Sequence, residues 1–164
     1  MRLSEEYNNE IIENLSFFKE SGKPLKLTVA SGESFNLFVA RINKRDNKIE
    51  LGNVITGGKF ITSFTNIVSI YSADRSVMVD TLGHKVSINK MEQPKLPNTG
   101  VDFFEVCRAA SLARKSIRVS VVTGEHYTGS VLGLNRYSVG LTELQDLRGK
   151  IDIYFDWVTA IEVL

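Results

Sequence analysis

Two stretches decide how this chain folds: "IRVSVVTGEHYTGSVLGLN" at residues 117–135 and "LKLTVASGESFNLFVARIN" at residues 25–43. In each, apolar and polar residues alternate up to a turn dipeptide, Thr123-Gly124 or Ser31-Gly32, followed by Glu. Alternation at period two marks a strand with one buried face, and a small residue followed by Gly marks the turn into the next strand. Placing Gly32 on Gly124 brings Leu25, Leu27 and Val29 onto Ile117, Val119 and Val121. The same placement brings Phe35 onto Tyr127, Val39 onto Val131 and Asn43 onto Asn135. One residue later in register, "KFITSFTNIVSI" (59–70) falls on "KIDIYFDWVTAI" (150–161). The matches concentrate at apolar and turn positions, where a shared fold constrains side chains, so the chain reads as an internal duplication.

Working outward, each copy holds five short strands. The second, from about residue 34 to 43 and from 126 to 135, is long and ends apolar on both faces, as a strand bent around a small barrel does. Gly129 and Gly133 relieve crowding at such a bend. A helix precedes each set of strands. In "SEEYNNEIIENLSFFKESG", Tyr7, Ile11, Leu15 and Phe18 form an apolar stripe, Ser4 is placed to cap and Gly22 to end the helix. In "TGVDFFEVCRAASLARK", Phe103, Val106, Cys107 and Ala110 make a similar stripe. "SVMVDTLGHKVSIN" has no counterpart in the second copy and is expected to form a hairpin turning at Leu82-Gly83. The expected organisation is a helix and first barrel with the added hairpin over 1–90, a proline-bearing linker over 91–99, and a second helix and barrel over 100–164. The fold class is mostly β, with two five-stranded, strongly bent small barrels in tandem.

Composition excludes several classes. Apolar residues make up 43% and charged residues 24%, with 20 basic against 19 acidic side chains and a net charge of +1. That is an ordinary globular balance without the basic excess of a dedicated DNA-binding domain. The single cysteine, Cys107, rules out a disulfide framework or cysteine-rich metal site within the chain. No stretch approaches the run of about 20 apolar residues that spans a membrane. The start lacks the pattern of a secretory signal, and the cytoplasm is expected. His84 and His126 stand apart from any metal-ligand spacing, and Gly57-Gly58 has no helix after it to hold a phosphate. No enzyme activity, metal or other cofactor is expected.

A helix followed by five bent strands resembles the Sm-like family, which includes the LSm and Hfq-like proteins. The resemblance is carried by Gly124, Tyr127, Gly129, Val131, Leu134 and Asn135, similar to the first Sm motif, and by "SFTNIVSIYS" and "YFDWVTAIEV", similar to the second. It implies a non-catalytic module that binds single-stranded RNA through the loops after each second strand. The residues implied are Asn43, Lys44 and Arg45 in the first copy and Asn135, Arg136 and Tyr137 in the second. Amides, cations and a stacking ring are what single-stranded RNA calls for. The sequence also departs from the pattern, with Leu37 in place of a motif glycine. Thr65-Asn66 and Asp156-Trp157 stand where an Hfq-like pocket carries Lys-His. The alternative is a protein-interaction module that keeps the barrels without binding RNA. Self-association or protein partners are expected through open strand edges, as a ring of three chains or as the two barrels pairing within one chain.

Overall fold

The computed structural model describes residues 3–73, 78–83, 86–88, 102–142, 144 and 149–164. The proposed linker 91–99 lies outside them, as do His84 and parts of the expected hairpin. Helix α1 spans Leu3–Ser21 and helix α2 spans Phe103–Leu112. The first half then supplies β1 (Leu25–Val29), β2 (Ser34–Asn43), β3 (Lys48–Gly52), β4 (Lys59–Ser63) and β5 (Ile67–Ala73). The short β6 (Val86–Ile88) follows. The second half supplies β7 (Ile117–Val121), β8 (His126–Leu134), β9 (Ser138–Thr142), β10 (Gly149–Tyr154) and β11 (Val158–Val163).

These strands form one open sheet in the order β11-β7-β8-β9-β10-β5-β1-β2-β3-β4-β6. All neighbours are antiparallel except β6, which joins β4 in parallel. The protein is therefore mostly β with two helices; each half supplies its five strands, and the two sets join edge to edge into one continuous sheet. The reason is the outer edge of β10. Its backbone groups find their partners in β5, with Gly149 opposite Ala73 through to Ile153 opposite Ser69. An unpaired edge is costly to leave open, and here the other half covers it.

Within the sheet the two halves repeat in detail. Leu25 pairs with Leu37 as Ile117 pairs with Gly129, and Leu27 with Phe35 as Val119 with Tyr127. A register shift falls between Val39 and Arg41 in one half and between Val131 and Gly133 in the other. A second shift separates Thr28 from Val29, matched by one between Val158 and Ala160. Such bulges bend a strand and increase its twist. The turns also match: Gly32 donates to the Val29 carbonyl and Gly124 to that of Val121, each glycine at a positive φ (95° and 91°) that side chains disfavour.

Helix α1 buries Tyr7, Ile11, Leu15 and Phe18, the stripe seen in its sequence, and Gly22 at φ 68° ends it by donating to the Phe18 carbonyl. Ser4 lies inside the helix, not at its cap. In α2, Asp102 caps by accepting from the Glu105 amide at 3.2 Å. Cys107 and Ala110 are buried beneath it, and burial pushes the thiol up to about 12, which leaves it inert. Residues 78–80 form no strand; instead Asp80 accepts from the Asn36 amide at 2.7 Å, and its carbonyl accepts from Asn53 Nδ2. The two hydrophobic cores interlock, because Tyr154 belongs to the first and Val68 to the second.

Candidate functional site

Polar side chains converge on the seam where α1 crosses from its own half onto the second. Glu6, Glu10, Asn14 and Phe17 form a second stripe on α1, at spacings of four and three, beside the apolar one. The loop after β8 receives this stripe. Tyr137 donates from its hydroxyl to Glu6 at 2.7 Å, Asn135 Nδ2 donates to Glu10 at 3.3 Å, and Arg136 approaches Glu6 at 3.8 Å. The bond to Glu6 raises the Tyr137 hydroxyl above its ordinary range. The Tyr7 ring meets Tyr137 and Tyr154 edge-on at 5.6 and 5.9 Å, the arrangement aromatic quadrupoles favour. Asn135 shapes its own loop too: its Oδ1 accepts from the Tyr137 amide at 2.7 Å and the Ser138 amide at 2.9 Å.

Beside this contact lies a cavity of about 330 Å³, lined by Glu10, Glu13, Asn14, Asn135, Ser138, Lys150, Asp152 and Tyr154. Asn14 Nδ2 bridges its floor, donating to Asp152 at 3.1 Å and to the Tyr154 hydroxyl at 3.3 Å. Burial raises the Asp152 carboxyl above the usual range, against the opposing pull of Asn14 and Lys150. Burial likewise raises Tyr154 and Tyr7, so both stay neutral hydroxyls. The Lys150 ammonium stands 5.5 Å from the centre of the Phe17 ring.

Trp157 adds a further bond across the seam. It ends the short 3-10 turn Phe155–Trp157, is 1% exposed, and donates from Nε1 to the Thr65 carbonyl of the first half at 3.1 Å. Asn66 is buried and donates to Thr62 Oγ1, while its carbonyl accepts from the Ala30 amide. Thus, of the positions where an Hfq-like pocket carries Lys-His, Trp157 and Thr65 join the two halves and Asn66 braces the first.

The loop after β2 differs from its counterpart. Asn43 bonds within the turn, donating to Asp46 at 3.0 Å and accepting from its amide at 3.1 Å, while Lys44 and Arg45 are exposed. The six residues singled out in the sequence therefore do not converge. Asn135, Arg136 and Tyr137 serve the contact with α1, and Asn43, Lys44 and Arg45 sit on a separate turn. Among the described residues, no group of three or more His, Cys, Asp or Glu is placed to hold a metal ion, and no helix is long and apolar enough to cross a membrane.

A family model described as repressor of phase-1 flagellin matches residues 4–161. The chain belongs to this family. No curated protein and no solved structure shows a significant match to it. Membership in the repressor family overturns the Sm-like resemblance and the RNA-binding module drawn from it. The features that carried the resemblance, alternation, a glycine turn and aromatics ahead of the last strand, are shared by short antiparallel units of many kinds. The residues that would have read RNA are placed differently in this repressor-family chain: Asn135, Arg136 and Tyr137 tie a helix to a loop, and of the pocket positions Trp157 bonds across the seam to Thr65. Glu6, Glu10 and Asn14 escaped the sequence reading, although their spacing along α1 was a visible signal.

Proposed function

We propose that this chain represses the expression of a flagellin, and that it does so by binding, not by catalysis. The observation that carries the reading is the family match, which runs from α1 through β11 and so takes in both halves and the seam. A binding role suits the chemistry of the interior. Tyr7, Tyr127, Tyr154 and Cys107 are all held in their neutral forms by burial, which makes them poor bases and nucleophiles. It also suits a molecule in which α1, the β10–β5 pairing and Trp157 join the two halves. The test is to express the chain in a flagellated bacterium that makes a phase-1 flagellin, and to follow flagellin protein by immunoblot and its transcript by quantitative amplification. Flagellin protein should fall several-fold while an unrelated abundant protein holds steady. Unchanged flagellin in cells that contain the folded chain would overturn the proposal.

A further inference from the structure

The two ends of the sheet are not alike. At one end β4 is covered by β6, a strand of only three residues, and short edge strands are one way proteins blunt an edge. At the other end β11 runs for six residues, and among the described residues nothing pairs with its outer side. The equivalent strand of the first half, β5, is covered there by β10 and is largely buried; β11 in the same position is exposed along most of its length. The geometry of this strand type therefore accepts an antiparallel neighbour, and in the second half that place is open.

The outward groups can be identified. Leu164 donates to the Ser116 carbonyl, so alternation turns the amides of Glu162 toward β7 and those of Ile161 and Val163 away from it. We propose that β11 is a self-pairing edge, through which two copies of this chain join antiparallel β11 strands into a closed homodimer. Ile161 of each copy lies opposite Val163 of the other, exchanging amide and carbonyl bonds on both sides of the axis. Glu162 then faces Glu162 of the second copy, and each carboxylate keeps the Arg118 guanidinium of its own chain at 3.3 Å, which offsets the like-charge contact. A second copy is the fitting occupant for two reasons. A net charge of +1 sets up little long-range repulsion between copies. One long edge per chain is open among the described residues, which permits a two-fold contact that ends at two, not a filament.

Light scattering over a range of protein concentration tests this. The mass should rise to twice 18.3 kDa, and Val163→Pro, which removes an outward amide without touching the β7 ladder, should hold it at 18.3 kDa with an unchanged far-ultraviolet spectrum. In the paired strands the two Glu162 Cα atoms lie about 4.5 Å apart, within disulfide reach. Glu162→Cys should therefore form a disulfide-linked dimer on mild oxidation, and the buried Cys107 does not compete. A wild-type mass of 18.3 kDa at every concentration overturns the proposal. So does a dimer that persists in a folded Val163→Pro chain, or one that Glu162→Cys fails to cross-link.

Discussion

Trp157 and Asp152 show how single residues hold the seam. The indole fills the second core at 1% exposure and bonds across to Thr65, so its removal leaves a cavity and an unmade bond together. Trp157→Ala is expected to cost about 3–5 kcal/mol, the range for deleting a large buried ring, and Trp157→Phe distinctly less, as measured by urea unfolding. Asp152 works against the fold at neutral pH. Its folded carboxyl is raised above its unfolded value, so the stability it contributes is fully present below the unfolded value and is lost as pH rises through the folded one. Asp152→Asn keeps an acceptor for Asn14 and removes the buried charge. The variant should melt higher than wild type at pH 7, and the gain should vanish as pH falls below about 4.

At the scale of elements, α1 carries two stripes with different duties. Tyr7, Ile11, Leu15 and Phe18 anchor it to the first core, whereas Glu6, Glu10, Asn14 and Phe17 address the second half. Burial predicts how far each matters. Leu15, at 0% exposure, should cost about 2–5 kcal/mol when cut to Ala. Phe17, at 50% exposure over Lys150, should cost less than about 1 kcal/mol. Chemical denaturation of the two variants side by side measures the contrast. The apolar stripe was legible in the sequence because burial imposes the helical period on it. The polar stripe was not read, since charged residues on a helix usually face water and only the neighbouring loop gives these a different task.

At the scale of the whole molecule, the backbone pairing of the two halves runs through β10 and β5. It begins at Gly149, where φ is 128° and a Cβ would overlap the Ser72 carbonyl oxygen. Gly149→Ala should therefore strain the joint as well as the residue, with a cost above about 1 kcal/mol. The native chain should unfold in one transition, because each core borrows a side chain from the other half. In the variant, the fluorescence of the single tryptophan, Trp157, should part from the circular dichroism signal. Coincident transitions in both proteins would show that the seam does not depend on this glycine.

The sequence by itself determined the local pattern of this protein: alternating strands, glycine turns, two helices with their buried stripes, and a repeat whose apolar and turn positions match. These are set by short-range sterics and by which face of each element avoids water, and both leave periodic marks along the chain. Tertiary structure alone decided where the halves meet. Asn135, Arg136 and Tyr137 look like ligand readers until α1 is seen to occupy them, and Asp156-Trp157 looks like an altered pocket until Trp157 is seen bonded to Thr65. A hydrogen bond between residues more than ninety positions apart leaves no periodic mark on the sequence. The docking that turns two repeated units into one sheet is written only in three dimensions.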